Sequence, residues 1–413
     1  MKNIKSTFLL LFGNIFSQGL PFLLQPFLTR VLSPEDYGYI FIFQLIAVVL
    51  VPITHLSYSI CLEKSYFDFS EHKLKLLRST ALLTSFVLSI LWFAIIFFTI
   101  EVLKVDFTIP PKYVYLGCAF SLLETFFVYG MSHFKIREKF KSLVFLQIIL
   151  VIIDFSLTLV FILILELGWE GRVYAKLIAW ALLVTFIIIY FYSKNLFEFK
   201  LNKESFTYLN KFSLPLVPHA LNTVIIAVSD RFFLSWLESP KALGLYSVGY
   251  QWGLIITTVG LAINKVWIST AYKRLNLNTH ESSSGFVKDF YIYSAFIMLL
   301  AISLALSSDF LIKLLLGGEF HSASTFVNFT SFAYAFNSIY LLLTPIYYVA
   351  SKNKVLLKIS MSVALINIIL NYFLISLNGA IGAAQATLIS FSLKFFLTWM
   401  IAIKINKMPW RLN

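Results

Sequence analysis

The sequence predicts an all-α, polytopic membrane protein: about twelve transmembrane helices in two six-helix lobes around a central cavity. Three observations predict it. Of the 413 residues, 59% are hydrophobic and only 13% are charged, against about 25% charged in soluble domains. Twelve mainly apolar runs recur along the chain, each long enough to cross a hydrocarbon core of about 30 Å as a helix. Lys and Arg alternate between dense and sparse in the loops that join those runs. A soluble chain of this length could not bury so much apolar surface, whereas lipid solvates it directly.

The runs lie at 7–28, 39–60, 79–100, 113–134, 143–165, 173–192, 212–237, 243–269, 290–308, 324–350, 359–375 and 381–403. The first follows MKNIKS and has the outline of a signal peptide. It is too long for one, is broken by Pro21, carries Asn14, Gln18 and Gln25, and has no small-residue cleavage site. It therefore reads as a retained first helix. The tenth is long, polar in places and broken by Pro345.

The termini and the loops after even-numbered runs hold 23 Lys and Arg; the loops after odd-numbered runs hold 6. Lys176, Arg231, Lys265 and Lys394 fall inside runs. Cytoplasmic loops are the basic ones, so both termini are expected in the cytoplasm, and an odd number of helices would scramble the alternation. The same distribution explains the net charge of +13 without nucleic acid. The 43 Phe residues read as lipid contact and packing. Cys61 and Cys118 are expected near opposite membrane faces, too far apart for a disulfide, and have no metal spacing. The glycosylation-type triplet Asn328-Phe329-Thr330 falls within a run.

The charged, helix-breaking segment 193–211 divides the chain into an N-terminal lobe, 1–192, and a C-terminal lobe, 212–413, with 193–211 as a cytoplasmic linker. Six is even, so both lobes enter the membrane in the same sense, which predicts a parallel repeat. A trace survives. Ser33-Pro34-Glu35-Asp36-Tyr37-Gly38 and Ser239-Pro240-Lys241-Ala242-Leu243-Gly244 occupy equivalent slots 206 positions apart, each followed closely by a tyrosine, Tyr39 and Tyr246. Ser-Pro opening and Gly closing reads locally as a tight turn.

Helical phase sorts the polar groups inside the runs. Asn14, Gln18, Pro21 and Gln25 fall within about 60° of one another, and Pro215, His219, Asn222 and Asp230 within about 80°. Gln44 and His55 share a face, as do Gln251, Thr258 and Lys265 at spacings of seven. The first two helices of each half thus carry polar faces, which either line a hydrated cavity or hydrogen-bond between helices. Glu124 and Asp154 lie midway through the fourth and fifth runs, with Gln147, Asp154 and Thr158 on one face and Lys176 near the end of the sixth. They form either a protonatable or cation-responsive site or a static buried pair. Asp230 and Arg231 differ by about 100° on their helix, so one is expected to face the cavity and the other a neighbouring helix. Lys394 is mid-run, where snorkelling to either surface is hard, whereas Arg30 can snorkel to the interface.

The segment LTRVLSPEDYGYI after the first run resembles the corresponding stretch of Wzx-type flippases for O-antigen and capsule repeat units. These belong to the multidrug/oligosaccharidyl-lipid/polysaccharide exporter superfamily. FSLPLVPHALN, Asp230-Arg231 and SPKALGLYSVGYQ resemble that family's seventh and eighth helices. The resemblance implies a bacterial inner-membrane transporter, not an enzyme. It would move an undecaprenyl-diphosphate-linked oligosaccharide between leaflets by alternating access, with no cofactor beyond H⁺ or Na⁺ coupling. Implied partners are the lipid-linked substrate, membrane lipids, a polysaccharide polymerase and a chain-length regulator. A diphosphate needs cationic or hydrogen-bonding groups in place of water. Candidates are Arg30, Lys176, Arg231, Lys265 and Lys394 for the diphosphate and Asn14, Gln18, Gln25, His219, Asn222 and Gln251 for the sugar. Glu124, Asp154 and Asp230 are the candidates for ion coupling. Only Arg30, Asp230 and Arg231 lie in segments matching the family pattern.

A cation-coupled multidrug antiporter of the same superfamily would want an acidic cavity, and the membrane charges lean cationic. A peptidoglycan-precursor flippase would carry helices beyond twelve. A polymerase or membrane glycosyltransferase would be expected to show a large charged outer loop, yet the longest outer loop expected here is the stretch 309–323. A phosphoglycosyl transferase would need a tight acidic pair for Mg²⁺ in a cytoplasmic loop, and the cytoplasmic acids do not cluster. The chain carries no phosphate-binding P-loop.

Overall fold

Apolar runs in lipid must satisfy their own backbone groups, which helices do internally. In the computed structural model every regular element among the described residues is helical. The structure describes residues 13, 16, 19, 22–105, 109–277, 279–406 and 408–410, and in the segment 217–237 the side chains of residues 219, 222, 223, 226 and 227 are not described. Helix α1 is taken as residues 22–31. It is followed by α2 (Pro34–His55), α3 (Tyr58–Asp68), α4 (Glu71–Glu101), α5 (Pro111–Ile136), α6 (Phe140–Leu159) and α7 (Gly168–Ser193). The chain continues through α8 (Lys203–Ser213), α9 (Val217–Leu237), α10 (Pro240–Leu277), α11 (His280–Leu315), α12 (Ser324–Val349), α13 (Asn353–Asn378) and α14 (Ala380–Ile405).

Ten of these stretches are long and apolar enough to span a membrane: α2, α4, α5, α6 with the turn after it, α7, α10, α11, α12 with the turn before it, α13 and α14. They match ten of the twelve expected runs. The first run, with Asn14, Gln18 and Pro21, lies largely outside the described residues. The seventh is α9, a helix of 21 residues whose side chains are described only in part. The chain is a multi-pass membrane protein.

Several boundaries differ from expectation for identifiable reasons. The second run was expected to continue to residue 60, but α2 ends at His55 because Leu56 and Ser57 adopt left-handed conformations, which a right-handed helix cannot continue through. The two Ser-Pro segments, expected as tight turns, start helices instead: Pro34 and Pro240 are the first residues of α2 and α10. Proline is preorganised for that position, and Ser239 Oγ accepts from Ala242 N at 3.2 Å. Gly38 and Gly244 therefore lie inside helices. The expected outer loop 309–323 is mostly helical, since α11 runs to Leu315 and residues Gly318–Ala323 form a 3₁₀ turn. At 1.5 Å per residue α10, with 38 residues, reaches about 57 Å, well beyond the hydrocarbon core.

The chain divides into two compact units, Met1–Leu32 with Asp36–Ile225, and Ser33–Glu35 with Ile226–Asn413. In the first, α4, α5, α6 and α7 pack together over a core that includes Leu77, Leu82, Phe134, Leu150, Ile187 and Phe191. The segment 193–211, read as a linker, contains most of the amphipathic α8. Asn202 caps α8 by accepting from Ser205 N at 2.8 Å, and its Leu209 is fully buried in the same core. Tyr58 of α3 donates to Asn210 at 2.8 Å, and Lys73 of α4 pairs with Glu204 at 3.0 Å.

In the second unit α12 is central, packed by α10, α11 and α14. Small residues let α10 and α12 approach closely, as in membrane helix pairs generally. A Cβ at Gly249 would stand 2.7 Å from both the Ala323 carbonyl oxygen and Phe326 Cβ, and one at Gly253 2.6 Å from Thr330 Oγ1. The triplet Asn328-Phe329-Thr330 is part of this helix, with Thr330 buried. Gly379, at φ +62 and ψ −147, turns α13 into α14, a conformation open essentially to glycine alone. Both cysteines are free.

Candidate functional site

Burying an ionisable group within a span costs free energy unless a partner compensates it. The partners therefore show what each group can do. In the first unit Asp154 of α6 is 8% exposed and meets Arg172, the last residue of the expected loop, which lies inside α7. Arg172 Nη1 donates to Asp154 Oδ1 at 2.6 Å and Nη2 to Oδ2 at 2.9 Å, so the pair is bidentate. Arg172 Nη1 also donates to Thr158 Oγ1 at 2.7 Å, and Thr158 in turn donates to the Asp154 carbonyl at 2.6 Å. Asp154 and Thr158 are one turn apart on α6, which presents both to one guanidinium. Directly beyond them α6 passes into a π-helical turn, Val160–Ile164. Such turns recur at functional sites.

Lys176 follows Arg172 by one turn on α7. Its ammonium lies 5.2 Å from the centre of the Phe120 ring and interacts electrostatically with Glu124, Asp154 and Arg172. Glu124, Asp154 and Lys176 thus belong to one cluster. Arg172, which sequence reading assigned to a loop, is its centre. The i, i+4 spacing of Arg172 and Lys176, matched to that of Asp154 and Thr158, was the signal available.

In the second unit Asp230 of α9 is 4% exposed. Its Oδ1 accepts from Arg231 N at 2.8 Å, and its Oδ2 accepts a short hydrogen bond from the Tyr246 hydroxyl. The Arg231 guanidinium lies 3.8 Å from the centre of the Tyr250 ring, close enough for a cation–π contact. Tyr250 stacks edge-on against Tyr334 of α12 at 5.4 Å. The expectation that Asp230 and Arg231 turn to different surroundings is corrected here. Both reach α10, because Tyr246 and Tyr250 stand one turn apart there. Lys394 of α14 donates to Asn337 Oδ1 at 3.3 Å and lies 4.0 Å from the Tyr340 ring centre.

A second polar group in this unit was not read from the sequence. Ser229 donates to Asn367 at 2.8 Å, Asn367 donates to Ser390 at 3.0 Å, and Asn371 donates to Ser229 and to Asn367, both at 3.1 Å. This buried network ties α9, α13 and α14 together. Asn367 and Asn371, four apart on an otherwise apolar helix, were its visible trace.

The remaining candidates are more dispersed. Gln25 is buried, Gln251 is half-buried, and Arg30 and Lys265 are exposed. His219 and Asn222 lie on α9, where their side chains are not described; Asn14 and Gln18 lie outside the described residues. Among the described residues no group of three or more His, Cys, Asp and Glu could hold a metal ion.

The sequence profile of the family described as "Polysaccharide biosynthesis protein" matches residues 27–325. The Lsg locus protein 1 of Haemophilus influenzae is 25% identical over 292 residues, 67% of each chain. A second H. influenzae protein, described only as a membrane protein, is 24% identical over 307 residues, 73% of this chain and 71% of that one. Among solved structures, the lipid II flippase MurJ in an inward closed conformation superposes with a TM-score of 0.76 at 16% identity, covering 97% of this chain and 87% of that one. An inward-facing multidrug-resistance MATE transporter of the MOP superfamily gives 0.71 at 12% identity, covering 94% and 96%. At these identities the structural likeness fixes the fold: that of the MATE transporters and MurJ.

Proposed function

The chain belongs to the polysaccharide biosynthesis protein family, and on that premise we propose that it is a flippase for a lipid-linked oligosaccharide. The substrate in this reading is an undecaprenyl-diphosphate-linked repeat unit of O-antigen or capsule. It passes from the inner to the outer leaflet of the bacterial cytoplasmic membrane by alternating access of the lobes 1–192 and 212–413, with both termini cytoplasmic. The family match carries the reading. A fold shared with a lipid II flippase and with multidrug transporters supports transport rather than bond-making chemistry.

The charged groups agree with an anionic, sugar-bearing cargo. Arg231 and Lys394 rest on tyrosine rings, and neither forms an ion pair within 4 Å among the described residues. A cation held by a ring is readily re-engaged by a phosphate, to which it binds more strongly. Arg231 and Lys394 are accordingly the diphosphate ligands this reading puts first, and Lys176, Arg30 and Lys265 are further candidates for it. Gln25, Gln251, His219, Asn222, Asn14 and Gln18 meet the sugar. Glu124, Asp154 and Asp230 would couple transport to H⁺ or Na⁺. A second reading, a cation-coupled multidrug antiporter, is favoured by the same buried acids and by the MATE-like fold.

Complementation separates the two. The gene is expressed in a strain that makes the cognate lipid-linked repeat unit but lacks its flippase. Surface polymer and the accumulated undecaprenyl-linked intermediate are then measured. Restored polymer with a falling intermediate supports flipping. Membrane-inserted protein that rescues neither, while raising drug tolerance, refutes it in favour of the antiporter.

A further inference from the structure

Three helices of the first unit converge on a groove that the transport reading does not use. Phe134 near the end of α5, Lys141, Ser142, Phe145 and Leu146 in the first two turns of α6, and Phe186 and Tyr190 near the end of α7 enclose about 320 Å³. That lies at the lower end of the range of small-molecule sites, about 300–1,000 Å³. Its floor is buried and apolar, formed by Phe134 and Leu146. Its flanks, Phe145 at 63% and Phe186 at 51% exposed, lie on candidate membrane spans, so they face hydrocarbon. Its rim sits where two of those spans end, at headgroup depth.

The rim is basic. Lys141 is exposed and forms no ion pair among the described residues. Lys139 Nζ reaches the Tyr190 hydroxyl at 3.3 Å. Arg137, the next cation, is committed to Glu71 at 2.6 Å. No acidic side chain lines the groove. The first turn of α6 adds backbone N–H groups that favour an anion.

We propose that this groove binds an anionic phospholipid of the surrounding leaflet. Lys141, Ser142 and the Tyr190 hydroxyl take the phosphodiester, and an acyl chain lies along Phe145 and Phe186. Basic pockets between membrane helices recognise such headgroups. The groove offers a sugar chain nothing comparable, since no Asn, Gln, Asp or Glu lines it.

The test uses the full-length protein in mild detergent and native mass spectrometry, with phosphatidylglycerol and phosphatidylcholine of identical acyl chains. Phosphatidylglycerol is retained in preference. Lys141→Ala weakens its retention about fivefold, Lys141→Arg preserves it, and Lys354→Ala, an exposed lysine in the other unit, leaves it unchanged. Ser142→Trp, which fills the groove, lowers retention of both lipids. Thermal unfolding of each variant confirms that it is folded. Equal retention of the two lipids by the wild type would overturn the proposal. So would unchanged retention in Lys141→Ala, or Lys141-dependent displacement of phosphatidylglycerol by equimolar undecaprenyl phosphate.

Discussion

Replacing Arg172 by leucine removes both donors to the Asp154 carboxylate and the bond to Thr158 in one step. The wild-type contacts are 2.6, 2.9 and 2.7 Å, and the variant leaves the buried Asp154, 8% exposed, without its bidentate partner, Lys176 being the remaining nearby cation. Removing one partner of a buried pair costs about 3–5 kcal/mol. Asp154→Leu strands the guanidinium in the same way and is expected to cost a similar amount. The double variant Asp154→Leu/Arg172→Leu removes both charges and replaces them with packing groups, so it is expected to unfold far more like the wild type than the sum of the singles. Equilibrium unfolding in mixed micelles, followed by the fluorescence of the eight tryptophans, reads all four proteins. Single variants costing less than about 1 kcal/mol, or a double variant equal to the sum, would refute a closed buried pair and indicate a water-filled surrounding.

The other predictions concern the second unit. Gly249→Ala places a methyl group 2.7 Å from the Ala323 carbonyl oxygen and should cost about 1–3 kcal/mol by overpacking; Gly318→Ala, with nothing within 4 Å, should leave the thermal midpoint unchanged. Tyr246→Phe leaves buried Asp230 with one acceptor site unfilled and should destabilise by about 1–3 kcal/mol, read by the same unfolding assay. Asn371→Leu removes two donors from the network of Ser229, Asn367 and Ser390 and should lower the thermal midpoint, whereas Asn378→Leu, exposed at the end of α13, should not. Arg231→Ala should abolish complementation without loss of membrane-inserted protein, while Arg231→Lys, which keeps a cation over Tyr250, should retain part of it.

Helix number and identity were largely legible because hydrophobic length is a one-dimensional property. Each described span matches an apolar run, and the family resemblance read from residues 28–40 and 212–251 agrees with the profile match to residues 27–325. Helix ends were less legible. Ser-Pro suits both a turn and a helix start, and only the backbone geometry after Pro34 and Pro240 decides between them. The segment 193–211 looked like a linker because its charges masked the amphipathic face that buries Leu209.

The candidate site was legible in its residues more than in its pairings. Asp154 stood out as an acid within a span, but Arg172 sat just outside the drawn boundary of the sixth run and was counted as loop. A shift of one residue converts a topological charge into the partner of a buried carboxylate. Tyr246 stood out only as the tyrosine after the second Ser-Pro segment, not as a partner of Asp230, and Tyr250 gave no signal of its own, since a tyrosine near a span end is ordinary. Asn367 and Asn371 were passed over because the polar faces read from the sequence were those of the first two helices of each half, although their spacing already put them on one face.

The central claim is movement of a lipid-linked, diphosphate-bearing oligosaccharide between leaflets. The most direct measurement reconstitutes the purified protein into liposomes whose fluorescent undecaprenyl-diphosphate oligosaccharide is exposed in both leaflets, then adds a membrane-impermeant quencher. The account predicts that protein-containing vesicles lose nearly all fluorescence, while empty vesicles and those with Arg231→Ala keep the inner-leaflet half. Equal protection in vesicles with and without the wild-type protein, under either an imposed proton or sodium gradient, would contradict it.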